Sequence, residues 1–247
     1  MFACHNIIHW VIDTTTVASS IMMITGHPAD RWQLYACCGN IFGVTALVLS
    51  MISTLRCNLI QFTSTAGTPP IERHFGLWWY SKMVISTDKT IDVKDFTRHV
   101  EGCFPYPDMV NIDAAWSAAR AFNTLALIGG FLWIMTDFFR TCAHGRIKPE
   151  PIWMGYVLLF TCIFSGLTLI ALDSNTCKNN ELLHVDQTED YEFNDQCEIS
   201  EGAILVVTAT VFWFVASLCS LAANRSKNEY DESARSDTLE PLIWEGA

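Results

Sequence analysis

Ala203-Ile-Leu-Val-Val-Thr-Ala-Thr-Val-Phe-Trp-Phe-Val-Ala-Ser-Leu-Cys-Ser-Leu-Ala-Ala223 is an apolar run without a charged side chain. A helix needs roughly 20 such residues to cross a hydrocarbon core of about 30 Å. Two more segments, 34–55 and 152–172, share this length and also lack charge, and a fourth, 121–139, contains only Asp137. The pattern therefore predicts that the chain crosses a membrane four times.

The composition supports this interpretation, because 51% of the residues are hydrophobic and only 17% are charged. Such a balance favours a small membrane bundle over a soluble domain. We predict an all-α membrane protein, a four-helix transmembrane bundle that also carries a small extracellular antiparallel β-sheet. The predicted helices are at about 34–55, 114–140, 152–172 and 203–223.

The short connection at 140–151 indicates the orientation. It carries one acid, Glu150, against the basic residues Arg140, Arg146 and Lys148. Lys and Arg are enriched in cytoplasmic loops. The sequence thus predicts cytoplasmic termini, external loops at 56–113 and 173–201, and a multi-pass protein of the plasma membrane or an endomembrane.

The two ends of the chain differ from the predicted bundle. Residues 1–33 read as a tail, in which 7–24 has the apolar and polar faces of a helix lying on a membrane surface. His5, His9 and Asp13 recur every four residues but form only a minimal ligand set, so no metal site is predicted. The polar segment 224–247 is predicted to be an acidic, disordered cytoplasmic tail.

The loop at 57–113 is too long to be a simple connection. Its central stretch, Phe75-Gly-Leu-Trp-Trp-Tyr-Ser-Lys-Met-Val-Ile85, is rich in aromatic and β-branched residues, which favour strands. We expect one strand here, with Phe75, Leu77, Trp79, Met83 and Ile85 on one face. With flanking strands at 57–65 and 90–96, the loop would form three antiparallel strands.

Three consecutive residues of this stretch, Trp78, Trp79 and Tyr80, are candidates for binding a partner. Trp and Tyr are enriched among the residues that contribute most to protein interfaces. Two alternatives remain open. The rings either form the core of the sheet or rest on lipid headgroups, where aromatic residues are also enriched.

Asp113 and Arg120 mark the start of the second helix. The Asp113 side chain is expected to cap the amides of Ala115 and Trp116. Arg120, about two turns into the helix, is expected either to reach the headgroup level or to bend back to a carboxylate of the loop, namely Glu101 or Asp108. An ion pair with Arg140 would account for Asp137.

Four cysteines lie in the predicted external loops: Cys57, Cys103, Cys177 and Cys197. An even number of cysteines in an oxidising compartment predicts two disulfides. Of the three possible connectivities we favour Cys57–Cys103 with Cys177–Cys197, because each bond then closes its own loop. Free surface thiols are the alternative.

Other features of the helices have structural or regulatory readings. Cys38, Cys142 and Cys219 lie near predicted cytoplasmic helix ends, where palmitoylation or simple apolar packing would explain them. Gly39 and Gly43 are four residues apart, which allows close approach of another helix in lipid.

The second external loop is acidic, with Lys178 as its only basic residue; the acids of interest are Glu189, Asp190, Glu192 and Asp195. Such a loop repels nucleic acid and anionic lipid. It is expected to be either a solvated loop or a weak site for cations or a basic partner.

Gly76-Leu77-Trp78, followed by Ala118-Ala119-Arg120-Ala121, resembles the claudin and peripheral myelin protein superfamily over roughly 34–223. The resemblance implies four transmembrane helices, cytoplasmic termini and an extracellular sheet built mainly from the first loop. The pattern Asp113-x-x-Trp116-x-Ala-Ala-Arg120-Ala-Phe122 is also similar to four-helix membrane proteins of diatoms and related algae that have no assigned activity.

One departure from claudins changes the expected function. Claudins carry a cysteine three residues after the tryptophan, where this chain has Ser81, and the next cysteine is the distant Cys103. The resemblance therefore implies a claudin-like scaffold with a different disulfide, and it does not carry over the tight-junction role.

Three classes of function follow from these patterns. We expect a non-catalytic scaffold for adhesion or membrane organisation, whose partners are the lipid bilayer and homotypic or heterotypic membrane proteins, with no cofactor. The alternative is an oligomeric cation-selective pore, or a channel-regulating subunit, that uses the acidic loop. An enzyme is not expected, because His74 and His99 lack a partnered nucleophile in the sequence.

Overall fold

A computed structural model describes residues 28–63, 72–85, 99–107, 112–142, 151–178 and 197–239. The chain divides into two compact units. The first unit contains Met1–Val44, Trp133–Leu159 and Trp213–Ala247, and the second contains Thr45–Leu132 and Phe160–Phe212. In chain order the elements are α1 (Pro28–Leu55), β1 (Ile60–Thr63), β2 (Glu72–Phe75), β3 (Trp79–Ile85), β4 (His99–Pro105), α2 (Ala114–Cys142), α3 (Pro151–Leu167), a 3-10 helix (Thr168–Asp173), α4 (Asn175–Lys178), β5 (Glu198–Ile199) and α5 (Glu201–Leu239).

The four predicted membrane helices are confirmed as helices. α1, α2, α5 and the combination of α3 with its 3-10 continuation each contain a segment long and apolar enough to cross a membrane. The segments are Leu34–Leu55, Ala114–Phe139, Ile152–Asp173 and Glu201–Glu232. Their length and composition indicate a multi-pass membrane protein.

Two predicted helix ends are wrong. α1 begins at Pro28, inside the predicted tail, because proline suits the first position of a helix. α5 continues to Leu239, so the prediction of disorder fails for residues 224–239. Extending an existing helix costs less than nucleating one, and an Arg225 to Glu229 bond of 3.1 Å supports the extension. Residues 1–27 and 240–247, with His5, His9 and Asp13, lie outside the described residues.

Within the described residues the sheet has five strands in the order β4-β3-β2-β1-β5, and all neighbours are antiparallel. Four strands come from the first loop. The fifth, β5, comes from the second loop and pairs Ile199 with Ile60. The predicted sheet is therefore present but larger than expected, and the predicted strand at 90–96 lies outside the described residues.

The stretch Phe75 to Ile85 is not the single strand that we predicted. β2 ends at Phe75, a turn follows, and β3 begins at Trp79. The turn breaks the alternation of faces, so that Tyr80 is buried where Trp79 had been expected to be. The turn requires glycine at position 76, because the chain passes too close to Arg56 at this point to admit a side chain.

The hydrophobic core of the second unit lies between the sheet and its helical segments. Two aromatic residues dominate it. Trp116 of α2 is completely buried, and Phe62 of β1 meets Phe75 edge-on at 5.7 Å between ring centroids. The other members of this cluster are Leu59, Ile60, Leu77, Tyr80, Ala119, Ala171, Cys177, Ala203 and Val206.

Small residues allow close packing in the first unit. A Cβ on Gly43 would lie 2.4 Å from the Trp133 ring, and one on Gly39 would lie 3.5 Å from the Ala216 carbonyl oxygen. Gly43 thus packs against the indole of Trp133, and Gly39 packs against the backbone of α5. Trp133 in turn meets Trp213 edge-on at 6.3 Å.

The helices also carry a polar interior that the sequence analysis did not anticipate. In the second unit, Asn123 Nδ2 donates to Thr54 Oγ1 at 2.9 Å, and the Ser165 and Thr210 hydroxyls are 2.9 Å apart. These bonds join different helices, and Asn123 and Ser165 are buried. Hydrogen bonds of this kind stabilise helix association in lipid, where unpaired polar groups are costly.

Candidate interaction surface

The turn at Gly76, Leu77 and Trp78 connects β2 to β3 at a place where three chain segments crowd together. The Gly76 N–H donates to the Trp79 carbonyl at 2.7 Å. A Cβ on Gly76 would lie 2.3 Å from the Arg56 carbonyl oxygen and 2.9 Å from the Cys57 Cα. Only glycine therefore fits here, and the requirement follows from close backbone approach.

The carbonyl groups of this turn are held by side chains from α2 and from the segment before it. The Leu77 carbonyl accepts from Arg120 Nε at 2.6 Å and from Trp116 Nε1 at 3.3 Å. The Gly76 carbonyl accepts from the Tyr106 hydroxyl at 2.7 Å. Three donors thus fix the turn against the start of α2.

The Arg120 guanidinium lies between two aromatic rings. Its central carbon is 5.1 Å from the Trp78 ring centroid and 5.2 Å from that of Tyr106. Cation–π contacts of this kind stabilise by about 0.5 to 2 kcal/mol, depending on desolvation. Arg120 bends back to the loop, where its contacts are with a carbonyl and two rings. The predicted partners, Asp108 and the side chain of Glu101, lie outside the described part.

Replacement of Arg120 by lysine tests this contact. Lysine keeps the charge but loses the Nε–H donor and the planar group that stacks on the rings. We expect Arg120→Lys to lower the free energy of unfolding by about 1 to 2 kcal/mol, measured by chemical denaturation in detergent. Arg56→Lys is the matched control, because the Arg56 side chain makes an exposed ion pair with Glu201 at 3.4 Å, which lysine can keep. Equal stability of the two variants would contradict the role of the guanidinium.

Burial raises the pKa of the Tyr106 hydroxyl well above its usual range, while the Arg120 charge opposes this effect and Tyr80 adds to it. The phenol therefore stays protonated and remains a donor to Gly76. Because the folded pKa is raised, the resulting stability is fully present below the unfolded pKa of about 10 and is lost as the pH rises above it.

This pH dependence can be measured. Between pH 9 and pH 11 we expect the wild-type protein to lose about 1.4 kcal/mol more stability than Tyr106→Phe, since only the unfolded wild type ionises at that position. Chemical denaturation of both proteins at the two pH values gives the difference. Parallel pH profiles would show that Tyr106 ionises as freely in the folded state as in the unfolded state.

Trp78 and Trp79, called here the tryptophan pair, are partly exposed, by 38% and 36%. Tyr80 is only 7% exposed; its ring stacks on Phe75 and lies 5.6 Å from the Tyr106 ring centroid. The candidate set Trp78, Trp79 and Tyr80 therefore divides. Two residues offer a surface, whereas the turn places Tyr80 in the core of the sheet, which was the alternative left open for these rings.

The tryptophan pair lies close to the start of a candidate membrane span. That span begins at Ala114, and Arg120 lies about 9 Å further along the helix axis at 1.5 Å per residue. Trp78 touches Arg120, so its ring is level with the first two turns of α2. Tryptophan is enriched at membrane–water interfaces, where a ring can meet apolar groups on one side and water on the other.

Asp113 links the two loops. Its Oδ1 accepts from the Trp116 amide at 2.9 Å, which confirms the predicted cap at that residue. Its Oδ2 accepts from the amide of Asn175, the first residue of α4, at 2.8 Å. One carboxylate thus begins α2 and also holds the start of α4.

Two disulfides cross-link the sheet region. Cys57 is bonded to Cys103 with 5.8 Å between Cα atoms, and Cys177 to Cys197 with 5.1 Å. These are the pairings favoured from the sequence. The first bond joins the segment between α1 and β1 to β4, and the second joins α4 to the residue before β5. The pairing of β5 with β1 was missed, because two residues are too short to show a strand pattern.

The remaining candidates are less informative. Glu189, Asp190, Glu192 and Asp195 lie outside the described residues. The Cys142 side chain is also not described, while Cys38 and Cys219 are half-buried in the first unit. Cys37 is exposed and was not singled out from the sequence. The signal that could have identified it is its position next to Cys38, which was a palmitoylation candidate.

No known family model and no curated protein matches the sequence. The held turn, the two disulfides and the tryptophan pair are then the features that bear on function. Together they form a disulfide-linked sheet that exposes the two indole rings of the tryptophan pair next to α2, a candidate membrane span.

Proposed function

We propose that the protein is a claudin-like, non-catalytic membrane scaffold whose tryptophan pair docks laterally on neighbouring membrane proteins, including further copies of itself. The observation that carries the proposal is the exposure of Trp78, on a turn fixed by Arg120, and of Trp79, the first residue of β3. A rigid aromatic surface loses little side-chain entropy on binding, which favours affinity. Trp is also among the residues most enriched at the energetic centres of interfaces.

The disulfides support an external position of the sheet. Such bonds persist in oxidising compartments, on the outside of the cell or in a lumen. The basic residues of the 140–151 connection favour the cytoplasm for the opposite side. In this orientation both termini are cytoplasmic, and the tryptophan pair lies at the outer headgroup level.

The depth of the pair favours contact within one membrane over contact between two membranes. Trp78 is level with the first two turns of α2, close to the bilayer surface. A partner in the same membrane presents its own helix ends at this level. The proposed role is therefore to organise proteins side by side in one membrane. Adhesion to a facing membrane is a second use of the sheet, which the depth of the tryptophan pair favours less.

Site-directed photo-crosslinking in native membranes tests the proposal. A benzophenone amino acid replaces Trp79 in the full-length protein, and the adducts are identified by mass spectrometry. We expect discrete protein adducts, from membrane proteins or from further copies. The control position is Ile199, which is 62% exposed on β5, away from the tryptophan pair in the strand order. Adducts to lipid alone at position 79, or equal protein adducts at both positions, would reject the scaffold.

Conductance measurements separate the scaffold from the cation-selective pore. The purified protein in a planar bilayer is expected to carry no cation current. A current that disappears when Glu189, Asp190 and Glu192 are neutralised would replace the scaffold by a pore lined by the acidic loop.

A further inference from the structure

The Arg120 guanidinium carries a positive charge that no carboxylate of the described residues neutralises. Its Nε–H donates to the Leu77 carbonyl at 2.6 Å. The four N–H groups of its two terminal nitrogens have no acceptor within the described residues. The carboxylates with described side chains in the second unit have other neighbours: Glu72 lies beside His74, Asp113 accepts from two amides, and Asp173, Glu198 and Glu201 contact Lys178, Gln61 and Arg56.

This charge lies next to the exposed surface of the tryptophan pair. Arg120 is partly exposed, and so is Trp78, whose ring centroid is 5.1 Å from the central carbon of the guanidinium. The Tyr106 ring is at a similar distance, 5.2 Å. Arginine keeps its charge at every physiological pH. The structure thus holds a permanent and only partly solvated cation beside the two indole rings.

Docking on the tryptophan pair changes the surroundings of this cation. Under the proposed function a partner covers Trp78, and Trp78 contacts Arg120, so the partner also displaces water from the guanidinium. Burial of a charge without a counter-charge is strongly unfavourable. A partner that binds here must therefore supply acceptors for the terminal nitrogens.

We propose that the partner bound at the tryptophan pair supplies a carboxylate, from an aspartate or glutamate side chain, that accepts two hydrogen bonds from the terminal nitrogens of Arg120. The proposal rests on the proposed function, since it names the chemistry of the partner at the same surface. A carboxylate matches the planar fork of a guanidinium with two parallel N–H···O bonds. Complementary charge fixes the orientation of the partner and disfavours proteins that present a basic group here.

Carbodiimide coupling in native membranes tests this contact. The full-length Arg120→Lys protein places a primary amine at the position of the guanidinium. The reagent joins an amine to a carboxylate in contact with it, and one carboxylate oxygen leaves with the reagent as its urea. We expect an amide between position 120 and an aspartate or glutamate of a second protein molecule, found by mass spectrometry of linked peptides. The wild-type chain gives no such link, because a guanidinium does not couple.

Arg56→Lys is the control for the reagent. Arg56 Nη1 lies 3.4 Å from Glu201 Oε2, so the new amine is expected to couple to Glu201 of the same chain. A mixture of normal and isotope-labelled protein distinguishes a second copy from the same chain. An amide to an acid of the same chain at position 120, or a phosphoramidate to a lipid there, overturns the proposal.

The benzophenone at position 79 separates this proposal from the proposed function. Introduced into the Arg120→Lys chain, it reports whether the partner is still bound. Protein adducts at position 79 without an amide at position 120 overturn the carboxylate and leave the scaffold standing. Lipid adducts alone at position 79, in a chain with the native Arg120, reject the scaffold itself.

A second measurement keeps Arg120 in place and decides the proposal if the Arg120→Lys chain loses its partner. The acids of the partner segment captured at position 79 are changed singly to the matching amides. We expect one change to lower the adduct yield by about tenfold or more, the size of a lost charge-assisted hydrogen bond, and the others to serve as controls without effect. An undiminished yield for every acid overturns the proposal.

Discussion

Gly76→Ala is expected to destabilise the folded protein by about 3 kcal/mol or more, a cost typical of severe overpacking. The added Cβ would lie 2.3 Å from the Arg56 carbonyl oxygen and 2.9 Å from the Cys57 Cα. Both are backbone atoms, and Cys57 is also tied to Cys103, so neither can move away at low cost. Chemical denaturation in detergent measures the change.

The matched control is the same substitution at a glycine with space around it. A Cβ on Gly166 would meet only the Thr210 Cγ2 atom, at 3.6 Å, which is an ordinary contact. Gly166→Ala is expected to be neutral or slightly stabilising, because alanine favours a helix. If both variants were equally stable, the turn at Gly76 would not be as closely packed as described.

The second large effect is expected from the disulfides. The Cys57–Cys103 bond closes a loop with a sequence separation of 46, and Cys177–Cys197 one of 20. In the chain-entropy relation these bonds stabilise by about 4 and about 3 kcal/mol. Serine pairs at 57 and 103 should therefore destabilise more than serine pairs at 177 and 197, as measured by thermal unfolding in detergent.

Free cysteines provide the control for this comparison. Cys37→Ser removes an exposed thiol and is expected to leave the unfolding temperature unchanged. Peptide mapping without reduction should recover both bonds in the wild type. Free Cys57 and Cys103 thiols in the native protein, or a double serine variant as stable as the wild type, would contradict the first bond.

The helices were predictable because their signal is long and simple. A continuous apolar run such as 203–223 specifies a membrane span from composition alone. The extension of α5 to Leu239 was not predictable in the same way, since polar residues after Ala223 resemble those of a tail. Helix continuation there depends on the preceding turns and on local pairs such as Arg225 with Glu229.

The surface was only partly predictable. Trp78 and Trp79 were singled out by residue type, and Arg120 by its position two turns into a helix; Trp78 and Arg120 also lie in the segments that resemble family motifs. The turn that separates β2 from β3, and so changes which face Trp79 and Tyr80 occupy, was missed, because its cause is the nearby backbone of Arg56 and Cys57.

The double role of Asp113 has a consequence for the protein under reducing conditions. Its two carboxylate oxygens join the start of α2 to α4 without using a disulfide. Reduction therefore lengthens the free chain within each loop but leaves this junction between the loops in place. Oxidation state sets how tightly each loop is closed, while the Asp113 carboxylate and the pairing of β5 with β1 join the two loops without a disulfide.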